Sequence, residues 1–116
     1  MEFKEQRAIY LQIADYMCDT ILMRKWKGGE RIPSVRELAV SMEVNPNTAM
    51  RTYTYLQEKE IIFNKRGIGY FVAVDGYSKT LELKKTTFIK KEMPAFIKSM
   101  KLLEIDFKLF KELFNK

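Results

Sequence analysis

The sequence predicts a mainly α fold with one small β-hairpin wing, an α+β arrangement. Three observations predict it. Apolar residues recur at three- and four-residue spacing before residue 60 and again after residue 76. Between these stretches lie two short runs of aromatic and branched residues, joined by a basic turn that contains two glycines. A capping serine and an Asn-Pro pair mark the starts of two predicted helices.

Composition excludes several classes of function. The 116 residues can bury one sizeable core. Histidine is absent and Cys18 is the single cysteine, which excludes histidine-based catalysis and thiolate zinc clusters. We therefore expect no enzyme, no metal and no cofactor, and we expect Cys18 to be a packing residue. Without an apolar run of about 20 residues or a signal peptide, the chain is expected to be cytoplasmic, with no membrane partner.

The net charge of +6 is unevenly distributed along the chain. Residues 1–75 carry a net charge of +1, whereas residues 76–116 carry +5. The basic tail is interpreted either as a solvated helix face or as a surface that contacts nonspecific DNA or an anionic membrane. Overall basicity therefore says little about the first domain.

Helix 1 is predicted over about residues 8–24. Its apolar stripe consists of Ile9, Ile13, Met17 and Ile21, widened by Tyr10 and Tyr16. Helix 2 is predicted over residues 35–42, because Ser34 followed by Glu37 forms a capping box. Its inner face should contain Val35, Leu38, Ala39 and Met42.

Helix 3 is predicted to begin at Pro46, behind an Asn45 cap, and to run to about Lys59. Its inner face should contain Ala49, Thr52, Tyr53 and Leu56. The outer face then contains Asn47, Thr48, Met50, Arg51, Thr54 and Tyr55. Strands are predicted at residues 61–63 and 69–74, with residues 64–69 as the turn.

The boundary between two domains is predicted at Asp75-Gly76, so that residues 1–75 form one domain and residues 76–116 a helical region. A long amphipathic helix over about residues 77–103 should be kinked or split at Pro94. Asp106 should cap a last helix over residues 107–115. That helix is expected to turn Phe107, Phe110, Leu113 and Phe114 inward.

Helices 2 and 3 form a predicted helix-turn-helix, in which the second helix begins with small polar residues. Such a helix can enter the major groove of DNA and present its first turn to base edges. The hairpin would be a wing whose Lys65 and Arg66 reach phosphate or the minor groove. Gly67 and Gly69 let the backbone pass close to DNA.

Four blocks in this order resemble the GntR family of bacterial transcription regulators: residues 9–13, 32–39, 44–48 and 66–72. The Asn-Pro-Asn-Thr run and the short helical tail resemble its YtrA-type subfamily. The resemblance implies DNA contacts at Ser34, Arg36, Asn45, Asn47, Thr48, Arg51, Gly67 and Gly69, and we add Met50, Lys65 and Arg66 from their places on helix 3 and in the basic turn. It also implies a helical dimerisation region, and the apolar residues that we assign to it are Leu81, Phe88, Phe96, Ile97, Met100, Leu103, Phe107, Phe110 and Phe114.

Two positions depart from the family pattern. Met50 stands where relatives often carry a polar or basic reader, and an apolar contact with a thymine methyl is its alternative role. Arg24 stands where a helix-ending glycine is common, so helix 1 is open to a different ending. Simpler roles also stay open: Ser34 and Asn45 as caps alone, Arg36 in a surface ion pair, and Lys65-Arg66 as a solvated turn.

The prediction is a homodimeric, sequence-specific regulator of transcription that binds double-stranded DNA and represses by occluding a promoter. The alternative is a winged helix used as a protein-interaction module, which the near-neutral first domain makes conceivable. The operator and any small-molecule effector stay unknown at this stage, since the short tail offers little room for a metabolite pocket.

Overall fold

The computed structural model describes residues 7–116, so the first six residues of the predicted domain lie outside the described residues. The elements follow one another as α1 (Ile9–Leu22), α2 (Val35–Met42), α3 (Pro46–Glu58), β1 (Ile62–Lys65), β2 (Gly69–Val72), α4 (Gly76–Thr87), a π-helical segment (Phe88–Glu92), α5 (Met93–Leu102) and α6 (Phe107–Phe114). The predicted fold class, mainly helical with one antiparallel hairpin, is confirmed.

Two compact units make up the chain. The first ends at Leu81 and the second comprises Glu82–Lys116, so the division falls inside α4. The functional division after residue 75 stays a prediction. Within residues 7–116, none of the helices combines the length and the apolar character that crossing a bilayer requires.

The core of the first unit contains the predicted inner face of α3, most of the apolar stripe of α1, Leu38 and Ala39 of α2, and the hairpin; Val35 and Met42, also predicted to face inward, are only half-buried. Its large buried side chains are Ile13, Met17, Ile21, Leu38, Tyr53, Leu56, Ile61, Ile62 and Val72. Cys18 is buried among them, as a packing residue should be. The predicted stripe of α1 was wrong at two positions, because Ile9 is 45% and Tyr16 47% exposed. Tyr16 precedes Met17 by one residue, which places it about 100° around the helix from the buried side.

The end of α1 shows how the helix closes without a glycine. Met23 is its C-cap, and Arg24 adopts a left-handed backbone conformation with φ of +64°. The Arg24 guanidinium lies 3.8 Å from the centre of the Tyr77 ring. Helix 1 therefore ends two residues earlier than predicted, and Arg24 takes the conformation that glycine adopts most readily at this position.

The hairpin is shifted slightly from its prediction. Its strands pair Ile62 with Val72 and Lys65 with Gly69, so Lys65 ends β1 instead of lying in the turn, and β2 stops before residues 73 and 74. A bridge between Arg31 and Phe71 places the segment before α2 alongside β2. The wing, defined here as residues 62–72, is thus flanked by a third extended segment.

The second unit contains the predicted interruption near Pro94. The N–H of Met93 donates to the carbonyl of Phe88, five residues earlier, which is the bond of a π turn. Proline cannot donate a backbone hydrogen bond, and its ring crowds the preceding turn of an α-helix. The wider turn just before Pro94 relieves that crowding, so the helix continues as α5.

The prediction that α6 turns its apolar residues inward was wrong for the single chain. Asp106 caps the helix, as predicted, by accepting a hydrogen bond from the N–H of Leu109 at 3.0 Å. Phe107 and Phe114 are nevertheless 71% and 77% exposed, and Leu113 is also exposed. The periodicity identified a face correctly, but a 35-residue unit has too little material to cover that face.

Candidate nucleic-acid interface

The start of α2 is fixed by a reciprocal pair of hydrogen bonds. The Glu37 N–H donates to Ser34 Oγ at 3.1 Å, and the Ser34 N–H donates to the Glu37 carboxylate at 2.9 Å. Hydrogen bonds to the Glu37 carboxylate, from the Ser34 backbone first and the Ser34 hydroxyl second, lower the pKa of Glu37, and the charge of nearby Arg31 lowers it further. Ser34 is therefore a cap, as predicted, and Arg36 follows it on the exposed side of the first turn.

The start of α3 is fixed in a similar way. Asn45 Oδ1 accepts a hydrogen bond from the Asn47 N–H at 2.8 Å, and Pro46 occupies the first turn, where no backbone donor is needed. Asn47, Met50 and Arg51 are exposed and Thr48 is half-buried. The first turns of α3 therefore present polar side chains and one methionine to solvent.

Tyr53 fixes the orientation of α3 within the first unit. Its side chain is fully buried, and its hydroxyl donates to the Pro33 carbonyl at 2.5 Å. Its ring packs edge-on against that of Tyr70, with 4.8 Å between the centroids. One side chain thereby joins α3 to the loop before α2 and to the wing.

Arg51 lies beside a tyrosine of α1. Its guanidinium carbon is 4.1 Å from the centre of the Tyr10 ring. Asn47, Thr48 and Arg51 line an open hollow together with Ala8, Ile9 and Tyr10. The structure thus brings three of the predicted DNA-contacting residues together at the amino-terminal half of α3.

The wing brings a second group of residues together. The Ile68 N–H donates to the Lys65 carbonyl at 2.9 Å, and Gly67 has a φ of +78°, which closes the turn. The Lys65 ammonium lies 5.1 Å from the centre of the Phe71 ring. Arg31 lies against Gly69: a Cβ added to Gly69, whose φ is +145°, would lie 3.0 Å from Arg31 Nε. Glycine is required here for both reasons.

Some of the remaining predicted residues stand apart from these two groups. Within residues 7–116, no hydrogen bond, ion pair or ring contact joins Arg36 or Met50 to either group, whereas Arg66 lies within the wing turn, between Lys65 and Gly67. Tyr10 was predicted only as part of the apolar stripe of α1, and Arg31 was not predicted. Since each touches a residue far along the chain, periodicity carried no signal for their place in the site.

The residues predicted for dimerisation are open in the single chain, and those of the second unit, between Phe88 and Phe114, are named here the C-terminal apolar surface. Phe88, Phe96, Ile97, Leu103, Phe107 and Phe114 are all more than 40% exposed, Leu81 is 39% exposed, and Met100 and Phe110 are half-buried. Phe110 lies at the centre of a ring cluster, with centroids 5.8 to 6.1 Å from those of Phe96, Phe107 and Phe114. An exposed cluster of four phenylalanine rings is unusual on a monomeric protein.

Comparison with known proteins agrees with this architecture. The model of the family "Bacterial regulatory proteins, gntR family" matches residues 9–72. The uncharacterized HTH-type transcriptional regulator YhcF of Bacillus subtilis is 34% identical over 102 residues, which cover 88% of this chain and 83% of YhcF. The HTH-type transcriptional repressor YtrA of the same organism is 36% identical over 98 residues, covering 84% of this chain and 69% of YtrA.

A solved structure gives the same result. The crystal structure of a GntR-family protein from Bacteroides thetaiotaomicron superposes with a TM-score of 0.77 at 46% sequence identity. The match covers 93% of this chain and 94% of that one. It therefore spans the hairpin-containing unit and most of the helical tail.

Proposed function

Because this chain belongs to the GntR family of bacterial regulatory proteins and is a DNA-binding transcriptional regulator, we propose that it acts as a homodimeric repressor that occludes a promoter. One relative, YtrA, is itself named a repressor. The observation that carries the docking mode is the grouping of Asn47, Thr48 and Arg51 at the open start of α3.

In this proposal the first turns of α3 enter the major groove. Asn47 can pair with adenine through its amide, and Arg51 can donate two hydrogen bonds to guanine. Thr48 offers a hydroxyl, and exposed Met50 offers an apolar contact for a thymine methyl. The side-chain Oδ1 of Asn45 accepts the capping hydrogen bond, so the side-chain amide hydrogens of Asn45 can donate to phosphate.

The start of α2 supplies contacts to the phosphate backbone. Ser34 Oγ accepts from the Glu37 N–H, and its hydroxyl hydrogen, which faces the Glu37 carboxylate in the free protein, would turn to a phosphate oxygen on binding. Arg36 carries a charge on the exposed side of the same turn. Contacts of this kind fix the register of the protein on the duplex without reading its sequence.

The wing supplies the third contact. Lys65 and Arg66 are exposed, and the backbone at Gly67 and Gly69 carries no side chain that would hold the tip away from DNA. We assign these four residues to the phosphates or to the minor groove beside the half-site. Their loss should weaken binding to all sequences similarly.

Dimerisation is assigned to the C-terminal apolar surface. A second copy presenting the same surface would cover it, and a two-fold axis would place two α3 helices on half-sites about one turn of DNA apart. Sedimentation should give a dimer at micromolar concentration for the native chain and a monomer for the variant that combines Phe107→Ser with Phe114→Ser. Val74→Ser, which replaces an 88% exposed apolar residue of the first unit, is the control and should stay dimeric. A native monomer would refute the assignment.

Several expectations belong with this proposal. The family comprises transcriptional regulators rather than enzymes, and we propose that the chain has no catalytic activity, uses no cofactor and acts in the cytoplasm without a membrane partner. We propose no effector. The rival role, a protein-interaction module, is decided by the experiment that follows.

The test begins with selection of bound sequences from random double-stranded DNA. A shared sequence with two-fold symmetry is expected, and Arg36→Ala and Arg51→Ala should each weaken its binding by about 1–3 kcal/mol, measured by fluorescence anisotropy. Lys25→Ala removes the same charge from an exposed turn outside the site and should leave affinity nearly unchanged. Failure to enrich any sequence would favour the protein-interaction module instead.

A further inference from the structure

We propose that Tyr10 is a positioning residue for Arg51 and thereby raises the preference of the protein for its operator over other DNA. The inference rests on the proposed contact between Arg51 and a base. Its physical basis is the stacking of the Arg51 guanidinium on the Tyr10 ring, at 4.1 Å from the ring centre. Cations in this position over an aromatic face are attracted to it.

The Tyr10 ring is itself held in place by α3. The Thr52 hydroxyl, which is fully buried, donates to the Tyr10 carbonyl at 2.7 Å. The Tyr55 ring meets the Tyr10 ring edge-on, with centroids 6.3 Å apart and an interplanar angle of 76°. Both the backbone and the ring of Tyr10 are therefore fixed to the helix that carries Arg51.

Stacking leaves the hydrogen-bonding capacity of Arg51 intact. The guanidinium is planar, so its face can lie on a ring while its N–H donors point outward in the plane. Within residues 7–116, no hydrogen bond or ion pair engages the Arg51 guanidinium. The hollow that Arg51 lines, about 330 Å³ in volume, is open to solvent. The donors are thus available to a base edge.

The expected benefit is in specificity. A free arginine side chain adopts many rotamers and loses them when it makes a two-bond contact with a guanine. An arginine that is already stacked in one orientation loses fewer rotamers when it binds. A phosphate can be contacted from many orientations, so nonspecific binding gains less from the stacking.

The test measures the ratio of dissociation constants for scrambled DNA and for the selected operator. Tyr10→Leu should lower this ratio by about 2- to 10-fold, the range expected from the rotamer freedom that an unstacked arginine loses when it contacts a base. Tyr10→Phe retains the ring and should behave like the native protein. In an Arg51→Ala background, Tyr10→Leu should produce no further loss, because the group that it positions is absent.

A measurement on the free protein tests the contact itself. The ring current of Tyr10 should displace the NMR resonance of the Arg51 side-chain Nε–H in the native protein and in Tyr10→Phe, and the displacement should disappear in Tyr10→Leu. The unfolding midpoint shows whether the Leu variant is folded, and Tyr10→Met is the substitute if it is not.

Three results separate the possibilities. An unchanged ratio in Tyr10→Leu, or an equal loss with and without Arg51, would overturn the positioning role. Absence of the NMR displacement in the native protein would overturn the stacking. Absence of any operator preference in the native protein would refute the proposed function, whereas the stacking measurement would still stand.

Discussion

Replacing Tyr53 by phenylalanine removes one oxygen atom from the core of the first unit and leaves the ring packing nearly unchanged. The hydroxyl is fully buried and donates to the Pro33 carbonyl at 2.5 Å. Water cannot readily replace it, because the side chain has no solvent-exposed surface. The variant therefore isolates one hydrogen bond that joins α3 to the loop before α2.

The size of the effect follows from the group that is left behind. A buried carbonyl that loses its partner costs about 1–3 kcal/mol of unfolding free energy. For a unit of this size, each kcal/mol lowers the unfolding midpoint by about 4–8 °C. The Tyr53–Tyr70 ring contact remains in the variant, so the wing should stay attached.

Alkaline pH gives a second, independent signature. Burial, which disfavours the charged phenolate, raises the pKa of Tyr53 well above its ordinary value, and the neighbouring Tyr70 and Glu37 add to this effect. An unfolded tyrosine ionises near pH 10, whereas the folded one stays neutral. The stabilisation is thus complete below about pH 10 and is lost above it, by up to about 1.4 kcal/mol per pH unit.

Urea unfolding at pH 7 and at a series of values up to pH 11 would measure both effects. The advantage of the native protein over Tyr53→Phe should be constant to about pH 10 and then shrink. Tyr16→Phe, at an exposed position of α1, is the control and should change stability little. Equal stability of native protein and Tyr53→Phe at pH 7, or an advantage that persists unchanged at pH 11, would refute the reasoning.

Two further substitutions test the predicted contact surfaces. Ser34→Ala removes the cap of α2 and should lower stability by about 1 kcal/mol in urea unfolding at pH 7. Alanine keeps the backbone bond that is the main cause of the lowered Glu37 pKa and loses only the hydroxyl contribution. The part of the difference due to that hydroxyl should therefore be present above about pH 4.3 and shrink as pH falls through the folded pKa, whereas the part due to the lost bond from the Glu37 N–H should persist; a difference that grows in acid would contradict this. Gly69→Ala places a Cβ at a φ of +145° and 3.0 Å from Arg31 Nε, so the wing should distort at a cost of about 1–3 kcal/mol, and DNA affinity measured by anisotropy should fall. Gly29→Ala, where φ is also positive but the space is open, is the control for backbone strain alone, and an equal fall in affinity there would point away from the Arg31 contact.

Local signals carried most of what could be predicted from the sequence. The caps at Ser34, Asn45 and Asp106 depend on residues no more than three positions away, so the local sequence is enough to predict these hydrogen bonds. No local sequence pattern predicts the contacts between segments that are far apart in the chain. The stacking of Arg51 on Tyr10 and the placement of Arg31 against Gly69 exist only once the helices and the wing are assembled.

Periodicity also predicts that a face is apolar without saying what covers it. Ile13, Met17 and Ile21 are buried by the rest of the first unit, whereas Phe107 and Phe114 have the same spacing signal and remain exposed. The difference is the amount of chain available nearby. A sequence pattern on one helix contains no information about that amount.

The π turn at Phe88–Glu92 changes the angular positions of the side chains that follow it around the helix axis. Each residue of an α-helix advances by about 100°, and a π turn accommodates one residue more than an α turn. The helical phase is therefore offset by one residue between α4 and α5, and the angular positions of Phe96 and Ile97 around the helix depend on that offset. Deleting one residue within Phe88–Glu92 would rotate every later side chain by about a quarter of a turn without changing any of them. The alignment of the C-terminal apolar surface is thus encoded by a residue count as well as by residue identity.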